Sequence, residues 1–184
     1  MRHPRQLVRE KTVLLIIDIQ EGFRKILPDV GDLVRNTSIL VETAKILKLP
    51  VIVTEQYPQG LGHTLKEIDA CLGEHKCFAK TAFSCLDAEG FTQSLKQIKR
   101  TQVLVCGIEA HVCINQTVHG LLHKDYQVHL AVDAISSRSP RQKEIGIQKM
   151  VESGAVRSSV EMALFEMIMT AGAEEFKAVQ RLVK

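Results

Sequence analysis

The sequence predicts an α/β fold, a mostly parallel sheet with helices on both faces. Three observations carry that expectation. The apolar, β-rich runs at 12–18 (TVLLIID), 51–54 (VIVT) and 102–106 (QVLVC) are continuous rather than alternating, as in strands covered on both faces. Segments with apolar residues at helical spacing lie between strands. Strands and helices alternate along the chain, the pattern of a parallel sheet built from crossover units.

Each element has its own warrant. After the first strand at 12–18, residues 31–48 place Leu33, Ile39, Leu40, Val41, Ala44 and Leu47 roughly as on a helix, and Pro50 stops it. The second strand is 51–54, and KCFAK (76–80) reads as a short third. Residues 87–99 carry Phe91, Leu95 and Ile98 on one helical face. The fourth strand at 102–106 ends at Gly107, and a helix is expected from about 113 to 124. The fifth strand is 127–132. Ser139-Pro140-Arg141-Gln142 then reads as a helix start, with Ser as N-cap, Pro in the first turn and Gln three residues after the cap. A sixth strand at 155–157 and two short helices at 161–170 and 173–182 complete the series.

With 184 residues, the chain fits one domain of about 100–200, so a single domain over 1–184 is expected. Apolar residues make up 45% and charged residues 24%, as in an ordinary soluble globular protein. The net charge of +3, without a long block of one sign, speaks against a nucleic-acid or membrane-surface partner. The longest apolar run, residues 13–17, is far short of the about 20 a bilayer needs. No secretory apolar stretch with a cleavage site follows the basic start. Five cysteines, an odd number without a CxxC pair, argue against a disulfide framework or structural zinc, and a reducing cytoplasm fits best.

In such sheets ligands bind beyond the carboxyl ends of the strands, so residues just after strands are the ones to read for chemistry. Asp18 ends the first strand. A partly desolvated carboxylate there makes a better base, although a turn cap or a surface ion pair would use the same residue. Cys113 follows the fourth strand by a short stretch. A thiol at a helix N-terminus is favoured as thiolate, and the N–H groups there can hold an oxyanion; a small apolar packing role is the alternative. Lys80 follows the third strand and can hold a carboxylate ionised or polarise a carbonyl. Alone it reads equally as a solvated surface lysine. Asp18 and Lys80 pull the Cys113 thiol in opposite directions, and Cys113 is expected to lead the five cysteines in reactivity.

Other motifs are weaker. His111 lies too close in sequence to Cys113 to serve readily as its base. His119 and His123 are spaced i, i+4 like zinc ligands, but Gly120 stands where a metalloprotease has its Glu. Neither a G-x-G-x-x-G nor a P-loop is present, and no cofactor is expected.

Taken together, LLIIDIQEGF (14–23), FAKTAFS (78–84), VLVCGIEAHVCINQT (103–117) and VDAISSRS (132–139) resemble the isochorismatase-like hydrolase superfamily. VTEQYPQGLG (53–62) is similar to its isochorismatase-domain-containing branch. The resemblance implies a three-layer Rossmann-like fold with a six-stranded parallel sheet. It also implies a catalytic triad of Asp18, Lys80 and Cys113, and a cis peptide joining Ile108 to Glu109. The backbone N–H groups of Glu109 and Cys113 would form the oxyanion hole. Nicotinamidases of the superfamily bind metal through an Asp-x-His segment after the second strand. Here that stretch offers only Glu55 and His63, so no such metal is expected. Isochorismatases proper lack the nucleophilic Cys, so Cys113 favours covalent acyl transfer.

The resulting expectation is a hydrolase of a small amide-like substrate, with Gln20, Phe23, Tyr57 and Phe83 flanking the pocket. The alternatives are hydrolysis of a vinyl ether or ester, and a non-catalytic binding or scaffold protein that keeps the fold. The apolar face of the final helices suits packing against a second subunit, giving a possible homo-oligomer.

Overall fold

The computed structural model describes residues 3–184. Six strands form one parallel sheet: β1 (Thr12–Ile17), β2 (Val51–Gln56), β3 (Lys76–Lys80), β4 (Gln102–Gly107), β5 (Gln127–Ile135) and β6 (Val156–Ser158). Their order across the sheet is β3-β2-β1-β4-β5-β6. The chain runs outward from β1 to β3, then returns to β1 and builds the other way. The topological switch point therefore lies between β1 and β4, where a crevice opens beyond the strand ends.

Every residue of β1 is buried, because the strand is central and covered on both sides. Its side chains alternate between two cores with the period of two that a strand imposes. Leu14 and Ile16 face one core with Leu33, Leu40, Leu164 and Met167. Val13, Leu15 and Ile17 face the other with Phe91, Leu95, Val118 and Met150. The first layer is made by α1 (Val30–Leu47), with α7 (Val160–Ile168) and α8 (Phe176–Gln180) beside it. Two short helices precede β3, α2 (Pro58–Leu61) and α3 (Lys66–Asp69). The second layer is made by α4 (Phe91–Ile98), α5 (Asn115–His123) and α6 (Pro140–Glu152).

Each predicted strand and helix has a counterpart, most with small shifts at their ends, but the helix expected over 173–182 is cut to Phe176–Gln180. Ser139 caps α6 by accepting from the Gln142 N–H, as its sequence predicts. The helix expected over 87–99 is shorter. Cys85–Asp87 forms a 3-10 turn, and Gly90 at φ 75° separates it from α4. The helix expected from 113 is preceded by a π-helical turn over Ala110–Ile114, where the Ile114 N–H reaches the Glu109 carbonyl at 3.3 Å. No short sequence pattern announces that turn.

Two glycines permit the close approaches around the crevice. Gly107 ends β4 at φ 126°, and a Cβ there would lie 2.1 Å from the Ile17 carbonyl oxygen. Gly146 lets α6 lie against the backbone of the π-helical turn, where an added Cβ would lie 2.9 Å from the Ala110 carbonyl. Among the described residues, no helix is long and apolar enough to cross a membrane.

Candidate active site

Strand register assembles the site. Ile17 pairs with Thr54, so Asp18, the next residue, enters the space above β2. Gln56 pairs with Lys80 across β2 and β3. Asp18 adopts a left-handed backbone at φ 55°, a conformation Asp tolerates better than most residues. Its N–H donates to the Thr54 carbonyl at 3.0 Å, so the turn stays pinned to the neighbouring strand.

Asp18 and Lys80 form a buried ion pair, Nζ to Oδ2 at 2.7 Å. The Thr54 hydroxyl donates to the other carboxylate oxygen at 2.7 Å. Lys80 also donates to Gln56 Oε1 at 2.6 Å and to the Ala82 carbonyl at 3.4 Å. Three acceptors thus meet the three donors of the ammonium, and only Asp18 among them carries charge. Burial alone would lower the Lys80 pKa, but the Asp18 carboxylate overrides it and keeps the ammonium charged.

Cys113 lies at the same site, 7% exposed, with its sulfur 4.0 Å from Gln56 Oε1. Burial pushes its thiol pKa up strongly, the Asp18 charge adds to the rise, and Lys80 opposes both. The resting group is therefore a thiol. Helix position and Lys80 favour the thiolate, while desolvation and the Asp18 carboxylate oppose it and outweigh them. A second thiol, Cys85, is fully buried close by and lies 3.6 Å from the Thr54 hydroxyl.

The turn carrying Cys113 is fixed from the end of β5. The Ala110 N–H donates to the Ser136 carbonyl and the Ser137 hydroxyl, each at 3.0 Å. The Glu109 carboxylate accepts from the Arg138 N–H at 3.0 Å. The peptide between Ile108 and Glu109 is cis, as the family resemblance implies. His111 pairs with the Ser137 hydroxyl through Nδ1 at 3.1 Å.

The four residues expected around the pocket separate into two groups. Gln20 is 1% exposed and its amide is committed inside the protein, donating to the Gln56 and Gly62 carbonyls at 2.9 and 2.6 Å. Phe23 is half-buried and packs against the first core. Tyr57 and Phe83 are 53% and 51% exposed, next in sequence to Gln56 and Ala82. Thr54 and Gln56 escaped the sequence reading. The one available signal was their place at the carboxyl end of β2, which singles out several residues equally.

The stretch after β2 is tied back to the strand by Glu55. Glu55 accepts from the N–H and hydroxyl of Thr64 at 2.7 and 2.9 Å, and its other oxygen meets His63 Nδ1 at 3.0 Å. Burial would raise the Glu55 pKa, but these Thr64 and His63 bonds win and lower it. Both ring nitrogens of His119 are engaged, by the Asn115 carbonyl and the Ser153 hydroxyl. Among the described residues, no three His, Cys, Asp or Glu side chains are grouped to hold a metal ion.

Comparison with known proteins agrees with this architecture. The model of the isochorismatase domain matches residues 12–162. The secreted isochorismatase effector Isc1 of Phytophthora sojae is 38% identical, over 97% of this chain and 87% of that protein. Isochorismatase domain-containing protein 2 of Xenopus laevis is 36% identical, over 100% and 88%. Among solved structures, a Caenorhabditis elegans protein described as MAR1 ribonuclease superposes with a TM-score of 0.92 at 35% identity, over 97% of this chain and 92% of that one. The YcaC product of Escherichia coli, described as an octameric hydrolase of unknown specificity, shares the fold at 19% identity, with a TM-score of 0.91 over 99% and 91%. With that domain model spanning most of the sheet, and relatives this similar along nearly the whole length, the chain belongs to the isochorismatase family.

Proposed function

We propose that this protein is a cysteine hydrolase of a small, uncharged amide-like substrate, with Asp18, Lys80 and Cys113 as its catalytic residues. The observation that carries the reading is the buried Asp18–Lys80 pair beside the Cys113 thiol. Asp18 takes the thiol proton, and the sulfur attacks the substrate carbonyl carbon. The N–H groups of Glu109 and Cys113 hold the oxyanion. Asp18 passes its proton to the leaving nitrogen as the C–N bond breaks. Water, deprotonated by the same carboxylate, then hydrolyses the thioester and the proton returns to sulfur.

The charge inventory favours a neutral substrate. The cation inside the site, Lys80, is neutralised by Asp18, and Arg138 at its rim lies 3.8 Å from the Glu109 carboxylate. One neighbour is described as a ribonuclease, but binding RNA draws on cations free to meet phosphates, and Lys80, buried and paired with Asp18, is not free to do so. Five free thiols fit a reducing compartment such as the cytoplasm. Met162 and Met169, 53% and 66% exposed at α7, offer an apolar surface for a second copy in a homo-oligomer.

The test is hydrolysis of a panel of small amides, with vinyl ethers, esters and an RNA oligonucleotide alongside. Turnover of a neutral amide, abolished in Cys113→Ala, is the expected result. Activity that survives Cys113→Ala would overturn the covalent mechanism. A folded wild-type protein inert across the panel would favour a scaffold role.

A further inference from the structure

The geometry points to Gln56 as a positioning residue, which presents a neutral oxygen to Lys80 so that the ammonium can exchange its charge partner from Asp18 to the Cys113 sulfur. This rests on the catalytic reading above and adds a residue to it. Gln56 is placed by contacts on all sides. Its backbone N–H donates to Gln20 Oε1 at 2.7 Å, and its backbone carbonyl accepts from Gln20 Nε2 at 2.9 Å. Its side-chain Nε2 donates to the Thr81 carbonyl at 2.7 Å. That bond fixes the orientation of the amide, because only the nitrogen can donate to a carbonyl. The oxygen must then face Lys80 Nζ at 2.6 Å, with the Cys113 sulfur 4.0 Å away.

The neutrality of that oxygen matters to the charge balance. At rest the site holds one carboxylate, one ammonium and one thiol. After the proton moves from Cys113 to Asp18, it holds a carboxylic acid, the same ammonium and a thiolate. Net charge is conserved, and Lys80 remains paired throughout. Among the described residues, the charged and titratable groups facing Cys113 are Asp18 just past β1, Lys80 from β3 and Cys85 from the 3-10 turn. A carboxylate at position 56 would add a second anion against the single ammonium. Lys80 would then stay bound to it, and the thiolate would form beside an uncompensated negative charge. An amide keeps the hydrogen bond to Lys80 without that competition.

The test needs no substrate. Initial rates of Cys113 alkylation by iodoacetamide are followed by peptide mass spectrometry between pH 6 and 10, for wild type, Gln56→Glu and Gln56→Met. The Glu variant has nearly the same shape and adds charge. Its Cys113 is expected to react about tenfold more slowly at pH 8, and to reach the wild-type rate about one pH unit higher. The Met variant loses the oxygen and adds no charge, and its profile is expected to move by less than half as much. A Glu variant with the wild-type profile would overturn the inference. So would a Met variant displaced as far as the Glu variant, since disturbed packing would then explain both. If wild-type Cys113 resists alkylation at every pH while other cysteines react, the nucleophile reading fails and this inference falls with it.

Discussion

Gln20 and Gln56 form a reciprocal clamp: the Gln20 amide oxygen accepts from the Gln56 N–H at 2.7 Å, and its nitrogen donates to the Gln56 carbonyl at 2.9 Å. One buried side chain thus replaces the strand neighbour that β2 lacks once β1 has ended. It carries the sheet's pairing two residues past Asp18, to where the site needs Gln56.

Replacing Gln20 with Leu strips this clamp and leaves the Gln56 N–H, its carbonyl and the Gly62 carbonyl without their partner. An unsatisfied buried backbone group costs about 1–3 kcal/mol, so a loss of about 2–5 kcal/mol is expected after partial relaxation. Urea unfolding monitored by circular dichroism would measure it. A variant as stable as wild type would mean that water readily takes over those bonds, and the clamp would lose its structural role.

The Asp18–Lys80 pair makes a different prediction. Removing one member of a buried pair leaves the other charge uncompensated, at a cost of about 3–5 kcal/mol. Lys80→Met and Asp18→Asn are each expected to destabilise by about that much. The double variant should be more stable than the sum of the two losses implies, because neither charge is then stranded. A double-mutant cycle in denaturant checks this, and strict additivity would show that the pair is not coupled.

Much of this arrangement was legible in the chain. Asp18 and Cys113 follow strands whose apolar runs are readable locally, Lys80 ends the short β3, and the sheet topology carries all three to one end. Thr54 and Gln56 were not legible, because their roles depend on register: Ile17 opposite Thr54, and Gln56 opposite Lys80. Nothing within β2 itself reports what β1 and β3 place beside it. Gln20 stands out in the sequence by its position, and its hydrogen bonds to Gln56 and Gly62 become visible only in the fold. A polar residue just past a strand suits a pocket wall and a clamp equally, and burial alone separates them. For Cys113 the opposing pulls of Asp18 and Lys80 are legible in the sequence, but the weight of burial is not. Helix position and a neighbouring Lys are visible in sequence, whereas desolvation is a property of everything packed around the sulfur.

His129 on β5 gives the fold a specific acid sensitivity. The residue is fully buried, both ring nitrogens lack a hydrogen-bond partner, and burial pushes its pKa down to about 4. Its ordinary value is about 6.5, so the unfolded chain binds the proton more tightly than the folded one. Stability is therefore full above about pH 6.5 and falls as the pH drops from there toward 4. Between pH 7.5 and 5 the loss from this one group is about 2 kcal/mol. Urea midpoints for wild type and His129→Leu at both pH values isolate it, since the other acidic groups are shared. A variant with the same pH dependence as wild type would refute the assignment.

The last prediction concerns which cysteine a small electrophile meets first. The five thiols differ sharply in setting. Cys85 and Cys106 are fully buried, and burial pushes their pKa values up to about 11 and about 12. Cys71 is half-buried and also raised by burial. Cys77 is exposed on the edge strand β3, with its pKa pushed up to about 11 by partial burial of the sulfur and then by Glu55 and Asp69. Cys113 sits higher still, because Asp18 adds its charge to strong desolvation. Thiolate fraction and access both set the rate, so Cys77 is expected to label before Cys113 under brief, substoichiometric iodoacetamide at pH 7. Cys85 and Cys106 should stay unlabelled until the protein unfolds. Cys113 should overtake the others only with a reagent that is attacked at a carbonyl carbon, such as an activated ester, seated in the crevice where Asp18 can accept the thiol proton during attack. Peptide mapping with iodoacetamide, which is attacked at its CH2 carbon, and with such an acylating reagent compares the two orders directly. If Cys113 leads with both reagents, Asp18 already draws the proton away at rest, and the resting thiol described here is wrong. If Cys77 leads with both, the crevice gives Cys113 no assistance, and the case for a nucleophile weakens accordingly.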